Sequence, residues 1–339
     1  MIVITGGTGY IGKNIAYHFL VRGEGVFLMD NYVNSSPSSY ENLKVLLKKH
    51  DISTKNLYNC HLDLTSNKNV NEWVEIDYPA IMKKYNLSPI TAIIHCAGLK
   101  SVPESISNPY EYYNNNINSS LNVINMAKKL NVPIIFSSSV TVYGNNTSSF
   151  NEETKCDLQA ITSPYGKTKF MIEEMLRDES ANLRTICLRY FNPIGCYPTL
   201  DEEVKYKSTN IIPSLIKSIR SNIPFKVYGN DYNTRDGTCI RDYIDVRDLA
   251  EAHYAALKYA LKTEGPNFDI FNLGTKNGTS VKELLDAFEK VKGIKIKYEV
   301  VERRDGDSAC STCSSDKAYR MLNWTPSYKL EESIKNIQL

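Results

Sequence analysis

The chain has 339 residues, with 40 Lys and Arg against 38 Asp and Glu, a formal net charge of +2 and 42% hydrophobic residues. Such a length predicts about two domains with a sizeable core, and the composition excludes a disordered or collagen-like chain. Because so small a net charge provides no broad positive surface for phosphates, we expect no nucleic-acid partner.

Neither the membrane nor a secretory compartment is indicated. Apolar runs such as residues 2–4 and 132–136 are far shorter than the roughly 18 residues that cross a bilayer. The N-terminus lacks the regions that precede a signal cleavage site, so we expect a cytoplasmic protein. The eight scattered cysteines are typical of free thiols there, and the single CxxC at Cys310 and Cys313 lacks the second pair of a four-cysteine zinc site. No metal site is therefore expected.

The first half of the chain alternates short β-rich runs with longer segments of helical periodicity. Continuous apolar strands separated by helix-length segments predict a parallel sheet covered on both faces. A crossover helix is predicted at residues 119–130, where apolar side chains share one face and Pro133 follows. The predicted strands are residues 2–5, 26–30, 58–62, 92–95, 134–138 and 185–190.

A glycine-rich segment, TGGTGYIG at residues 5–12, lies between the first predicted strand and a helical segment. It fits GxxGxxG from Gly6 and GxGxxG from Gly7. Glycine lets the backbone turn sharply and approach a pyrophosphate, and the following helix N-terminus attracts that group. The segment predicts a dinucleotide site, with a glycine-rich turn that binds no ligand as the alternative.

Two acidic residues end neighbouring predicted strands. At Asp30 a carboxylate can accept a hydrogen bond from a ribose 2′-hydroxyl and would repel a 2′-phosphate, which favours NAD over NADP. Asp63 either reaches the adenine or makes an ordinary strand-end turn.

The segment SPYGKTK places Tyr165 and Lys169 four residues apart, on one face if the segment is helical. A neighbouring ammonium stabilises the phenolate and lowers the phenol pKa, so that the pair can remove a hydroxyl proton. The spacing alone is not decisive, because Tyr254 with Lys258 repeats it, as does Tyr40 with Lys44.

The position in the predicted sheet distinguishes Tyr165 from the other two tyrosines. Only Tyr165 is preceded by a strand that ends in three hydroxyls, Ser137, Ser138 and Ser139. Strand ends of an open parallel sheet meet the bound ligand, and a serine there can share the proton of a reacting hydroxyl.

The alternation of strands and helices fades after residue 190, where prolines divide the chain into shorter segments. We expect an α/β fold, with a Rossmann-type doubly wound parallel sheet in residues 1–190 that binds NAD. A smaller mixed α/β domain is expected in residues 191–339, with segments near residues 235–250 returning to the first domain.

Six motifs occur in the order seen in extended short-chain dehydrogenases/reductases: TGGTGYIG, AGLK (97–100), SSSVTVYG (137–144), SPYGKTK, RYFNPIG (189–195) and RDYIDVRDLA (241–250). Over nearly the whole chain, including YGNDYNTRDGT, ERRDGD and LNW, the sequence resembles the UDP-glucose 4-epimerases of that superfamily. Dehydratases of nucleotide-sugars usually carry Thr-Asp-Glu where this chain has Ser139, Val140 and Thr141, which favours an epimerase.

The resemblance implies a catalytic set of Tyr165, Lys169 and Ser139. Tyr165 would take the proton of the sugar 4-hydroxyl while NAD accepts hydride from C4, and Ser139 would bridge Tyr165 and the sugar oxygen. Lys169 would hold the nicotinamide ribose and lower the Tyr165 pKa. Hydride return to the other face of the 4-keto sugar leaves no net redox change, so NAD is expected to be retained.

The resemblance also implies the binding residues. The expected cofactor contacts are Gly6, Gly9, Tyr10, Ile11, Gly12, Asp30, Asn31, Asp63, Leu64, Cys96, Ala97, Lys100, Asn115, Tyr165 and Lys169. The expected UDP-sugar contacts are Ser139, Tyr165, Asn192, Asn210, Tyr228, Arg241, Tyr243, Arg304, Asp307 and Ser311. Arg241 and Arg304 would clamp the diphosphate, which suits a guanidinium. Tyr228 would pack on uracil and Asp307 would bind the uridine ribose.

Two departures from the pattern affect specificity. Cys96 stands where many epimerases have an aromatic residue, so packing beside the nicotinamide is expected to differ. Ser311 stands where some glucose-restricted relatives have Tyr, which leads to the hypothesis that UDP-N-acetylglucosamine is also accepted. A homodimer is expected, since relatives commonly form dimers through a helix pair.

Two groups of alternatives stay open. Another NAD-dependent nucleotide-sugar enzyme, such as a dehydratase, decarboxylase or uronate epimerase, would produce a net-changed sugar or recognise a carboxylate. A catalytically silent NAD-binding regulator would have little reason to keep Tyr165, Lys169 and Ser139 together.

Overall fold

The computed structural model of the chain describes residues 1–144, 148–197, 210–262, 264–304 and 307–339. The strands in these ranges are β1 Ile2–Thr5, β2 Val26–Asp30, β3 Leu57–His61, β4 Ala92–His95, β5 Ile134–Ser139, β6 Ser148–Phe150, β7 Thr185–Tyr190, β8 Asn192–Ile194, β9 Phe225–Tyr228, β10 Ile240–Asp245, β11 Phe268–Leu273, β12 Gly278–Ser280, β13 Tyr298–Val301 and β14 Cys310–Cys313.

Helices cover both faces of the larger sheet. They are α1 Tyr10–Val21, α2 Pro37–Lys49, α3 Asn67–Glu72, α4 Tyr78–Tyr85, α5 Val102–Ser107, α6 Pro109–Leu130, α7 Pro164–Asp178, α8 Ile211–Arg220, α9 Val246–Ala260, α10 Val281–Lys292, α11 Asp316–Leu322 and α12 Leu330–Lys335. A π-helical turn, Trp73–Asp77, joins α3 to α4, and 3₁₀ turns at Val140–Tyr143 and Glu179–Ala181 follow β5 and α7.

Seven parallel strands form the larger sheet of the described chain, in the order β11-β7-β5-β4-β1-β2-β3. The strand order reverses between β1 and β4, which creates the crevice where doubly wound sheets bind ligands. The predicted fold class is confirmed. Four predicted strands have the predicted bounds, β3 begins and ends one residue earlier than predicted, and β5 extends to Ser139.

Strict alternation of side chains along β1 separates the two cores that cover this sheet. Ile2 and Ile4 are buried in the core beneath α1 and α9, while Val3 faces the opposite core beneath α6 and α7. Both faces are apolar because both are covered, as in parallel sheets generally.

Helix α6 starts at Pro109, well before the predicted residue 119. Proline suits the first helical turn, but the first half of α6 buries polar side chains and so lacks an apolar periodicity. Asn116 is one of them: its amide accepts from Leu99 N at 2.8 Å and donates to Leu99 O at 3.0 Å and to Thr168 Oγ1 at 3.1 Å.

The chain after residue 190 contributes to two regions. Helix α9 packs on α1, and β11 pairs in parallel with β7 at the edge of the larger sheet. The remaining strands form a smaller sheet in the order β12-β10-β14-β6, with β8 paired to β10, and a separate pair β13-β9. The boundary expected at residue 190 stays a prediction.

Within the described ranges, no helix combines the length and the apolar character needed to cross a membrane.

Candidate active site

The glycine-rich turn between β1 and α1 is closely packed. Gly6 has a φ of +63°, and a Cβ added there would lie 2.8 Å from Ala97 N. A Cβ on Gly12 would lie 2.3 Å from Gly6 O, so the first turn of α1 fits against the loop only without side chains. The first turn of α1 has no acidic residue. Its N-terminus is therefore free to attract an anion such as a pyrophosphate.

Asp30 lies at the carboxyl end of β2 and is only 8% exposed. Its Oδ1 accepts from Tyr32 N at 2.8 Å and Ser35 Oγ at 2.9 Å, and its Oδ2 accepts from Thr8 N at 3.1 Å. These donors orient the carboxylate and connect it to the glycine-rich turn. Because each carboxylate oxygen accepts about two hydrogen bonds, Oδ2 retains acceptor capacity for a ribose hydroxyl.

A cleft opens beside these two features. Apart from Tyr165 and Lys169, all the expected cofactor contacts line it: Gly6, Gly9, Tyr10, Ile11, Gly12, Asp30, Asn31, Asp63, Leu64, Cys96, Ala97, Lys100 and Asn115. The residues present fit a dinucleotide, because the cleft joins a glycine cradle at a helix N-terminus to an oriented carboxylate. Sequence reasoning missed further lining residues, among them Val33, Ser35 and Ser119.

Asp63 makes the strand-end turn considered from the sequence. Its Oδ1 accepts from Thr65 N at 3.0 Å and from Thr65 Oγ1 at 2.9 Å, which closes a strand-end turn. The same residue lines the cleft. Its contact with adenine stays a prediction.

The three serines that end β5 have different partners. Ser138 donates to the buried carboxylate of Glu173. Ser137 bonds to the hydroxyl of Tyr190 at 2.8 Å and to Cys96 Sγ at 3.0 Å. Ser139 is the serine that acts on Tyr165, because hydrogen bonding by its side chain lowers the pKa of the Tyr165 phenol.

Tyr165 and Lys169 lie on one face of α7, as predicted. The helix begins where Ser163 Oγ accepts from Gly166 N at 3.1 Å, with Pro164 in its first turn. Lys169 is 6% exposed, and its Nζ lies 5.9 Å from the centroid of the Tyr165 ring. The structure therefore brings Ser139, Tyr165 and Lys169 together at the end of β5.

The expected lowering of the Tyr165 pKa is wrong for the chain by itself. Burial raises the pKa of Tyr165 above its ordinary value, and the hydrogen bond with Ser139 opposes that rise. The Lys169 ammonium instead donates to the Ser137 carbonyl oxygen at 2.8 Å. Burial lowers the pKa of Lys169 to about 8, and the negative charge of Glu173 opposes that lowering, so Lys169 still carries its proton at neutral pH.

Behind this trio is a buried ion pair that sequence reasoning missed. Arg189 Nη2 donates to Glu173 Oε2 at 2.6 Å, and Arg189 Nε donates to Glu173 Oε1 at 3.0 Å. Arg189 is 3% exposed and Glu173 is fully buried. Glu173 follows Lys169 by one helical turn, so the recurrence of polar residues at 165, 169 and 173 was the available signal.

Four expected UDP-sugar contacts lie around β10. Arg241 Nη1 donates to Ser308 O at 2.8 Å, and its Nη2 lies 3.3 Å from Asp307 Oδ1. Ser311 pairs with Arg241 in the register of β10 and β14 and is 9% exposed. Tyr243 is buried on the same strand. These positions bring Arg241, Asp307 and Ser311 into one cluster.

The other expected contacts occupy neighbouring elements. Asn192 pairs with Tyr243 between β8 and β10, and Asn210 precedes the first turn of α8. The guanidinium of Arg304 lies 3.8 Å from the centroid of the Tyr228 ring, so it packs on the aromatic ring expected to receive uracil. Asp305 and Gly306 of the ERRDGD motif lie outside the described residues.

All eight cysteines are free thiols. Among the residues that the structure describes, no group of three or more His, Cys, Asp or Glu side chains could hold a metal ion.

Comparison with known proteins bears on this site. The NAD dependent epimerase/dehydratase family matches residues 2–274. UDP-glucose 4-epimerase 2 of Arabidopsis thaliana is 37% identical over 99% of this chain and 93% of its own length. The structure of UDP-glucose 4-epimerase from Bifidobacterium longum in complex with NAD+ and UDP has a TM-score of 0.87 and 35% identity, covering 99% of this chain and 96% of that one.

A third relative is named for two substrates. The structure of the UDP-Glc/GlcNAc 4-epimerase from Campylobacter jejuni has a TM-score of 0.78 and 32% identity, covering 99% of this chain and 97% of that one. The resemblance seen in the sequence motifs is thus confirmed across the whole chain. The chain belongs to the NAD-dependent epimerase/dehydratase family.

Proposed function

We propose that this chain is an isomerase that interconverts UDP-glucose and UDP-galactose by inverting C4. The observation that carries the proposal is the meeting of Ser139, Tyr165 and Lys169 beside a dinucleotide cleft, in a chain similar over nearly its full length to UDP-glucose 4-epimerases. The cofactor is NAD, which when bound supplies a hydride acceptor and then a hydride donor at C4.

The protein's own residues handle the proton of the 4-hydroxyl. Tyr165 accepts that proton as C4 is oxidised to a ketone, and returns it after the sugar presents its other face. Ser139 donates a hydrogen bond that stabilises the phenolate form of Tyr165. Since burial alone raises the Tyr165 pKa, deprotonation depends on positive charge brought to the site, and the Lys169 ammonium adjoining the ring provides part of it.

The β10 cluster is suited to the nucleotide half of the substrate. Arg241 is 16% exposed at its side chain, so its guanidinium is partly desolvated and offers paired donors to a diphosphate. Asp307 accepts from Arg241 and has remaining acceptor capacity for ribose hydroxyls. Arg304 and Tyr228 supply a second cation and an aromatic surface close to each other.

Acetylated sugars are included in the proposed substrate range. Ser311 carries a small side chain next to Arg241 in the strand register, so a 2-acetamido group has more space there than beside a Tyr. The relative from Campylobacter jejuni, 32% identical, is named for both UDP-Glc and GlcNAc substrates. This supports epimerisation of UDP-N-acetylglucosamine as a second activity.

Two further features belong to the proposal. Helices α6 and α7 pack together and expose large apolar side chains, Leu121 at 49%, Met171 at 39% and Tyr110 at 73%, which supports a homodimer formed through this helix pair. Light scattering after size-exclusion chromatography distinguishes the dimer from the monomer.

The free cysteines support location in the reducing cytoplasm.

The function is tested by incubating the purified protein with UDP-galactose and no added cofactor, then separating the products. We expect UDP-glucose, because a reaction without net redox change retains its NAD. A dehydrated or decarboxylated product would replace the epimerase assignment by another activity of the family. No change even after NAD is supplied would contradict any catalytic assignment.

A further inference from the structure

Thr141 lies two residues after Ser139, in the 3₁₀ turn Val140–Tyr143. It donates twice to the same atom: its backbone N–H lies 3.3 Å and its hydroxyl 3.0 Å from Ser139 Oγ. A serine hydroxyl has one proton and two acceptor lone pairs. Because Thr141 occupies both lone pairs, the single proton of Ser139 is available only to another acceptor.

That acceptor is Tyr165: hydrogen bonding by the Ser139 side chain lowers the pKa of the phenol, which is the effect of a donor. Ser139 is 8% exposed, so little solvent competes for its proton. The two donors on Thr141 therefore fix the direction of the bond: Ser139 donates and the Tyr165 oxygen accepts. A donor in this position stabilises the phenolate more than the phenol.

Thr141 is itself held against the helix that carries Tyr165. A Cβ added to Gly166 would lie 3.0 Å from Thr141 O and 3.2 Å from Thr141 Cβ, so the turn packs where a larger residue at position 166 would have its side chain. The turn is therefore packed closely against the start of α7, which carries Tyr165.

We propose that Thr141 is a positioning residue that holds the Ser139 hydroxyl as a hydrogen-bond donor to Tyr165. The proposal rests on the proposed function only in taking Tyr165 as the base. Thr141 hydrogen-bonds Ser139, so it acts on Tyr165 through Ser139. If Thr141 lacked its hydroxyl, one lone pair of the Ser139 oxygen would be free, and the Ser139 hydroxyl could then turn its proton away from Tyr165.

The test compares Thr141→Val with Thr141→Ser. Valine keeps the branched shape and the backbone N–H but removes the hydroxyl donor, whereas serine keeps the donor. We expect Thr141→Val to lower kcat by about tenfold or more with KM changed less than about threefold, and Thr141→Ser to stay within about threefold of wild type. Equal loss in both variants would overturn the proposal, because packing and not the hydroxyl would then be responsible.

A double-mutant cycle tests whether Thr141 acts through Ser139. In a Ser139→Ala background the hydroxyl to be oriented is absent, so Thr141→Val should cause little additional loss of kcat. Independent, multiplicative losses would overturn the proposal. If Thr141→Val does not fold, Thr141→Ala takes its place in both comparisons.

A spectroscopic titration separates this proposal from the proposed function. The near-ultraviolet tyrosinate absorbance of the holoenzyme, minus that of Tyr165→Phe, reports the ionisation of Tyr165 whether or not the enzyme is an epimerase. We expect the midpoint to shift to higher pH in Thr141→Val and to return in Thr141→Ser. An unchanged midpoint would overturn the proposal even if turnover fell.

The matched control is Thr185→Val. The Thr185 hydroxyl is buried in β7 without a hydrogen-bond partner, so the same substitution removes no donor from the active site. We expect wild-type kcat and an unchanged Tyr165 titration. A loss in this control as large as in Thr141→Val would also overturn the proposal.

Discussion

The ammonium group of Lys169 donates to the carbonyl oxygen of Ser137 at 2.8 Å. This bond joins the lysine of α7 to strand β5, two residues before Ser139. The cation is thereby held beside the Tyr165 ring, 5.9 Å from its centroid, without being bonded to the phenol oxygen. The buried ammonium therefore has a backbone oxygen, and not the phenol oxygen, as its hydrogen-bond acceptor.

Replacing Tyr165 by Phe removes the base and leaves the packing of the ring unchanged. Because a positioned acid or base contributes about 10²- to 10⁴-fold, we expect kcat to fall by that range while the melting temperature is maintained. Conversion of UDP-galactose and thermal unfolding are the measurements. Tyr254→Phe is the control, because Tyr254 is also followed by a lysine four residues later, Lys258. The Lys258 Nζ lies 4.5 Å from the centroid of the Tyr254 ring. Normal turnover in Tyr165→Phe would refute the base assignment.

Asp30→Ala tests the basis of cofactor preference. Loss of a charged hydrogen-bond acceptor at the ribose should weaken NAD binding by about 10- to 100-fold and reduce the discrimination against NADP. Dissociation constants for both cofactors, measured on cofactor-stripped protein, check this. Asp63→Ala is the control, because Asp63 lines the same cleft but its loss should leave the ratio of the NAD and NADP dissociation constants unchanged. If Asp30→Ala had the same ratio as wild type, Asp30 would not determine the cofactor preference.

Ser311→Tyr tests the acetylated-sugar activity. The larger side chain beside Arg241 should reduce turnover of UDP-N-acetylglucosamine relative to UDP-glucose by about tenfold or more, because it fills the space for the 2-acetamido group. Ser311→Ala keeps the small volume and should preserve the ratio. An unaltered ratio in Ser311→Tyr would show that the discrimination lies elsewhere.

Glu173→Gln tests whether the buried ion pair contributes more to the free energy of unfolding than a surface ion pair on the same helix. Removing one partner leaves Arg189 buried without its countercharge, so we expect a loss of about 3–5 kcal/mol in the free energy of unfolding. Glu174→Gln is the neighbouring control: its pair with Arg177 spans 3.2 Å but is half exposed, and its loss should cost under about 1 kcal/mol. Denaturant titration gives both values, and equal losses would contradict the expected role of burial.

The lowered pKa of Lys169 predicts a pH dependence of stability. Below pH 8 the lysine is protonated in both the folded and unfolded chain, and above 10.5 in neither; between these values only the unfolded chain holds the proton. Stability should therefore rise with pH across that window. We expect the unfolding free energy of wild type minus that of Lys169→Met to increase by roughly 3 kcal/mol. A difference that stays flat or falls would contradict the lowered pKa.

Several features could be predicted from the sequence because their physical causes are local. The bounds of β1, β2, β4 and β7 follow from apolar runs closed by turn residues. The glycine-rich turn is recognisable because Gly6 and Gly12 must lack side chains for the loop to close on itself and on Ala97. Helix α6 was predicted too short, since its first half buries polar groups that are satisfied by distant residues.

The sequence by itself determined the alternation of strands and helical segments up to residue 190, the dinucleotide turn and the placement of Tyr165 and Lys169 on one helical face, since each depends on neighbours within a few turns of chain. Only the tertiary structure decided where the charges point. It directed Lys169 to the Ser137 carbonyl, paired Glu173 with Arg189 and brought Arg241 to Asp307. These contacts join residues far apart in the chain, and burial makes their energies depend on partners that no local pattern encodes.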